Sequence, residues 1–252
     1  MKEEFKMVSV NNYNEFINFL SEFNVEDNVL FRGQEVDWPL LPKIARIAPD
    51  REILDAERKM FTDFKVYSLS YLKVRLDNDW DWLAMAQHYG LSTRLLDWSA
   101  NPLIALWFAV KLPPCEDKDG VVWCFKPADE DFVIDYNNSP FSIKATKVFQ
   151  PKHFSDRIRS QSAFFTAHKW DSKKNKFYKF ETMKKYLNKL TKIVIPRSQF
   201  SNFRYNLDQF GINQSVVFPD LDGLCAHIQW RYTFLSDEKK LTRDQSKSIW
   251  KV

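Results

Sequence analysis

The sequence predicts an α+β fold, a single compact domain whose helices pack on a small split or mixed β-sheet core. Helical spacing dominates the early and late parts of the chain, strand-like segments lie between them, and no internal repeat or low-complexity linker interrupts the pattern. The chain has 252 residues, 44% apolar and 16% aromatic, enough to bury one large core. The domain is expected to span residues 1–252, with a core over about 28–235 and a charged tail over 236–252 that carries Trp250.

The elements follow in order. In residues 11–23, Tyr13, Phe16, Ile17 and Leu20 recur at three and four residues, the spacing of an amphipathic helix. A strand over 28–34, ending in LFRGQ, comes next. From 50 to 71, Ile53, Ala56, Met60, Phe64, Tyr67 and Tyr71 mark a long helix, with Asp50 as N-cap and Glu57 near the apolar face. The run DWDWLAMAQHYG is a further helix stopped by Gly90, since glycine tolerates the left-handed conformation after a helix end. Asn101 and Pro102 are an N-cap and first-turn proline for a helix apolar on every side up to Val110, halted by Pro113 and Pro114. Short strands are expected at 121–125, 131–135, 146–149 and 192–196. Helical spacing returns through Phe200, Phe203, Leu207 and Phe210, with Gly211 as cap, and FPDLDG reads as an aspartate turn capping a last helix.

Composition narrows the partners only slightly. A net charge of +4 is no more than solubility accommodates. Three cysteines, Cys115, Cys124 and Cys225, lack any C-x-x-C spacing, which argues against a disulfide framework and a zinc ribbon. The start MKEEFKMVSV has no signal-peptide core, and the most apolar run, 102–110, is too short to span a bilayer. The expected location is the cytoplasm, with no membrane partner. The segment Lys169–Lys192 stands apart: nine lysines face only Asp171 and Glu181, interleaved with Trp170, Phe177, Tyr178, Phe180 and Tyr186. Positive charge with stacking faces suits RNA or single-stranded DNA, and an exposed insertion kept soluble by lysine is the plainer alternative.

Two stretches concentrate reactive groups. In LFRGQ, arginine is the side chain that forks onto phosphate, and glycine lets a ligand or another backbone approach. In MAQHYGLSTRLLDWSANP, Gln87, His88, Tyr89, Ser92, Thr93, Arg94 and Asp97 surround a glycine turn. The plainer alternative pairs Asp97 with Arg94 and leaves His88 and Tyr89 to local backbone groups. A third stretch, DRIRSQSAFFTAH, holds Arg157, Arg159, Gln161 and His168. Asp97, Asp220 and Asp222 are the candidates for a hard cation, but the aspartate turn accounts for the last two, and no metal is expected.

Together, FRG at 31–33, WLAMAQHYGLSTRLLDWSANPLIALWFA at 82–109, RIRSQSAFFTAH at 157–168 and GINQSVVFPDLDGL at 211–224 resemble the FRG domain family of bacteria and phages. Ser92 stands where that family often has proline, and Ala163 where glycine is common. The order of these parts is similar to that of ADP-ribosyltransferases. That resemblance implies NAD as substrate and a toxin or phage-defence effector that modifies a macromolecule, RNA, single-stranded DNA or protein, with an antitoxin or regulatory protein as partner. It also implies roles: Arg32 with Gly33 on the NAD phosphates, Ser92 and Thr93 shaping the nicotinamide pocket with Gln87, Tyr89 and Arg94 around it, and Gln161 at the position of the family's ribose-binding glutamate. Gln161 holds a hydroxyl but does not ionise. Asp97 or Glu57 would then supply the carboxylate, and His88 the general base. The alternative from another class is a non-catalytic module that binds a nucleotide or nucleic acid, or a subunit whose pocket is vestigial.

Overall fold

A computed structural model describes residues 5–238, apart from 25, 26, 48, 50, 51 and 116. The expected cap Asp50 and residues 239–252 of the tail, with Trp250, lie outside the described residues. Helices and strands are mixed along the chain: β1 (Lys6–Ser9), α1 (Tyr13–Leu20), β2 (Leu30–Gln34), α2 (Ile53–Tyr67), α3 (Asp79–His88), β3 (Leu95–Ser99), α4 (Pro102–Val110), β4 (Gly120–Phe125), β5 (Lys147–Phe149), α5 (Asp156–Ser160), β6 (Ala163–Ala167), β7 (Trp170–Asp171), β8 (Lys176–Phe177), α6 (Lys184–Leu187), β9 (Leu190–Ile195), α7 (Phe200–Gln209), α8 (Gln214–Val217) and α9 (Leu221–Tyr232). The described residues group into two compact units.

The first unit comprises Pro39–Ala100 and Phe125–Leu190. Its strands run β3-β6-β5, all antiparallel, with Asp97 opposite Phe165 and Phe149 opposite the same residue on the far side. Phe61 of α2 and Trp80, Leu83 and Ala84 of α3 pack with Leu95, Phe149 and Phe165 into its core. Asn78 caps α3 by accepting the Asp81 N–H at 3.0 Å, and Gly90 leaves the helix with φ 94°.

The second unit comprises Lys6–Trp38, Asn101–Cys124 and the residues from Thr191. Its strands lie in the order β1-β9-β4-β2, with β1 parallel to β9. Helix α4 is buried nearly all round, as its uniform apolarity predicts, and Asn101 caps it by accepting the Leu103 N–H at 2.9 Å. Phe31, Val122, Cys124 and Ile193 from the strands pack with Ile104, Leu106 and Val110 of α4 and with Phe203 and Leu207 of α7.

Gly33 has a clear role in this unit. A Cβ there would sit 1.7 Å from the carbonyl oxygen of Ala105 and 2.8 Å from the Ala109 nitrogen. The absent side chain makes room for another backbone, that of α4, and not for a ligand as the family resemblance implies. Gly33→Ala is expected to destabilise the protein by roughly 3 kcal/mol or more, because backbone has no rotamer with which to yield. A urea midpoint equal to wild type would refute this packing role.

Two further expectations change. Residues 131–135 do not form a strand: Asp131 accepts the Ala128 N–H at 3.0 Å, closes a 3-10 turn over Asp129–Asp131, and leaves one isolated bridge from Phe132 to Val148. A short polar side chain that bonds nearby backbone competes with the strand ladder. Helix α2 ends at Tyr67, before the expected Tyr71. The strand β1, the small β7–β8 hairpin and the short helices α5, α6 and α8 are elements the periodicity did not reveal.

Candidate functional site

In the first unit, the turn from α3 into β3 gathers most of the polar residues singled out above. Thr93 is fully buried; its hydroxyl donates to the side-chain oxygen of Gln87 and accepts the Leu95 N–H at 3.1 Å. The Gln87 amide in turn donates to Asp97 Oδ1 at 2.8 Å. Thr93 therefore fixes which way the Gln87 amide faces, and Gln87 fixes one oxygen of the exposed Asp97 carboxylate. Ser92 is half-buried beside this relay.

His88 ends α3, half-buried, with its ring edge-on to Tyr89 at 5.0 Å and to Phe154 at 6.0 Å. Burial lowers its pKa, the Arg157 charge lowers it further, and Asp97 opposes both. The net shift leaves the imidazole neutral at physiological pH, the state in which it accepts a proton. Tyr89 is largely exposed.

Arg94 and Glu57 are placed differently from the expectation that put them at a ligand. Both side chains are at most 2% exposed, and Glu57 Oε2 lies 2.5 Å from Arg94 Nη2. Glu57 Oε1 also accepts the Arg94 Nε and backbone N–H groups, each at 3.0 Å. Arg94 Nη1 donates to the Pro140 carbonyl at 3.2 Å, and its guanidinium lies over Phe141 at 4.8 Å. The pair satisfies itself in the core, so neither group is counted among the ligand contacts. The plainer alternative is corrected as well, because Arg94 meets Glu57, and Gln87 meets Asp97. The cue in the sequence was a glutamate on the apolar stripe of α2, a position that requires a buried partner.

Gln161 stands at the C-cap of α5, before β6 and not on a strand. Its backbone carbonyl accepts the Ser99 hydroxyl at 2.6 Å. Ser162 follows with φ 46°, the left-handed turn that sends the chain into β6.

In the second unit, Phe31 and Gly33 face α4, so by strand alternation Leu30, Arg32 and Gln34 line the opposite face of β2. Gln34 is 7% exposed, and its side-chain oxygen has no hydrogen-bond partner among the described residues. A buried, unmet acceptor beside an arginine fits a ligand that offers both an anion and a hydroxyl or amino donor, as a nucleotide does. Sequence reasoning passed over Gln34, although it follows Arg32 at strand spacing.

The lysine-rich segment uses its rings internally. Phe177, Phe180 and Tyr186 are buried, Trp170 packs edge-on to Phe177 at 4.9 Å, and Tyr178 donates to Asp171 at 2.9 Å. Lys185 and Lys189 pair with Asp131 at 2.5 and 2.6 Å. What reaches solvent is chiefly positive charge, including Lys173, Lys174, Lys176 and Lys179. Among the described residues no cluster of His, Cys, Asp or Glu could hold a metal, and no helix is long and apolar enough to cross a membrane. Asp220 caps α9, accepting the Gly223 N–H at 2.7 Å, as the aspartate turn predicts.

Comparison with known families finds one match: residues 27–118 fit the family model of the FRG domain. The match contains the first two of the four stretches that carry the resemblance and ends before the other two. No curated protein and no solved structure matches the chain significantly.

Proposed function

We propose, from the match of residues 27–118 to the FRG domain model, that the protein is an NAD-dependent ADP-ribosyltransferase that modifies a macromolecule. The observation that carries this reading is the exposed Asp97 carboxylate, held by Gln87 and electrostatically coupled to a neutral His88. Departure of nicotinamide leaves positive charge on the ribosyl carbon, so a fixed carboxylate stabilises the transition state more than the ground state. Asp97 takes the electrostatic role that Gln161 does not fill. His88 accepts the proton of the attacking hydroxyl or amine as the new glycosidic bond forms. The resemblance gives Arg32 the NAD phosphates, and within the second unit Arg32 and Gln34 supply the guanidinium and the acceptor that suit a nucleotide. The toxin or phage-defence role and an antitoxin partner belong to this proposal, which rests for them on the FRG resemblance alone.

The test is incubation with NAD labelled in its ADP-ribose part and separate pools of RNA, DNA and protein, beside Arg32→Ala. Label should enter one pool and be lost in the variant, naming the acceptor class. Full turnover by Arg32→Ala would remove that residue from the mechanism. With neither transfer nor release of free nicotinamide, the non-catalytic nucleotide-binding module, favoured by a Gln161 that caps a helix, takes its place.

A further inference from the structure

A partly open cavity of about 180 Å³ lies wholly within the second unit, bounded by the end of α4, by α7, by the start of α8 and by α9. Its walls are mainly apolar, with Trp107, Leu112, Ile212, Ala226, Trp230 and Leu235 lining it. An apolar cavity of roughly 150 Å³ is enough to hold a benzene ring, so this one takes a ligand of one or two fused rings.

The charges around it define what that ligand carries. Arg204 reaches the cavity but is fully engaged: it pairs with Glu238 at 3.1 Å and Asp237 at 2.5 Å and donates to the Val110 carbonyl at 2.7 Å. Lys111 pairs with Glu35 at 3.2 Å. Neither cation is left for an anionic ligand. Asn213 is also engaged, donating to Asp208 at 2.9 Å and accepting the Ser215 hydroxyl at 2.8 Å. Gln214 lines the cavity with an amide that both donates and accepts. The acceptors there are the Asp208 carboxylate, 3.7 Å from His227 Nε2, and His227 itself, whose imidazole stacks on Trp230 with centroids 6.0 Å apart and whose Nδ1 has no hydrogen-bond partner among the described residues. Burial lowers the His227 pKa, Asp208 opposes this and Arg231 adds to it. The neutral ring so favoured keeps one nitrogen as an acceptor.

We propose that this cavity is a binding site for a small uncharged aromatic molecule bearing one N–H or O–H donor, of the indole or phenol class. The rings of Trp107 and Trp230 supply apolar contact, and Asp208 or His227 accepts the donor. The site is independent of the proposed transferase activity, since every residue in it lies outside the polar turn and off strand β2.

Indole and 1-methylindole are the probes, followed by ligand-observed saturation transfer on the full chain. Indole is expected to bind and to outcompete its methylated form by about tenfold, the loss expected for one unmet buried acceptor. Ala226→Trp, which fills the cavity from α9, should abolish binding while circular dichroism and the urea midpoint stay at wild type. Should that variant fail to fold, Ala226→Leu provides the same test with a smaller side chain. Absence of saturation transfer from millimolar indole to folded wild type, equal binding of the two probes, or binding untouched in the folded variants would overturn the proposal.

Discussion

Glu57→Gln is expected to lower the stability of the protein by about 3–5 kcal/mol, the cost of leaving a buried charge without its partner. Arg94 and Glu57 are at most 2% exposed, so water does not replace the lost carboxylate. Gln retains the shape and one acceptor but not the charge, and the Arg94 guanidinium stays positive at any accessible pH. The companion experiment replaces both partners, as Glu57→Leu with Arg94→Met. Exchanging a buried ion pair for packed apolar side chains is often neutral or stabilising, so the double variant should recover most of the loss. Urea midpoints of the three proteins decide it. A single variant as stable as wild type would show that the pair contributes nothing to the core.

Asp97→Asn is expected to reduce ADP-ribosyl transfer by about 10²–10³-fold, the range found when one group is removed from a preorganised electrostatic site. Stability should hardly change, because Asp97 is exposed and asparagine still accepts the Gln87 amide. The pH profile separates an electrostatic role from a merely structural one. His88 acts as base only when neutral, and its pKa already lies below the usual histidine value, so wild-type activity should be flat at neutral pH and fall only on the acid side. Asp97 is the one influence raising that pKa; without it the acid limb should move to lower pH. An unmoved limb with full activity would take Asp97 out of the site.

Capping and periodicity were legible because they are local. Asn101 before Pro102, and Gly90 and Gly211 after their helices, follow from backbone chemistry within a few residues, and the helices and strands that the spacing marked, 131–135 excepted, lie where it puts them. The aspartate turn at Asp220 was readable for the same reason. The missing strand at 131–135 was not, since alternation of apolar residues does not register that Asp131 bonds the Ala128 backbone. In the site, the gathering of Gln87, His88, Thr93 and Asp97 at one turn was visible, while their pairing was not. Thr93, Gln87 and Asp97 lie within ten positions of one another, yet the direction of their relay depends on which hydroxyl and amide face each other once α3 meets β3.

The sequence by itself determined the helix ends, the polar turn and the FRG resemblance, all set by residues near one another in the chain or by their order. Tertiary structure alone decided what Arg94, Glu57 and Gly33 do. Glu57 and Arg94 are 37 positions apart, and burial far from water requires that each charge meet an opposite one. Gly33 and Ala105 are brought within contact by strand and helix packing, so the space a side chain would occupy is already filled by backbone.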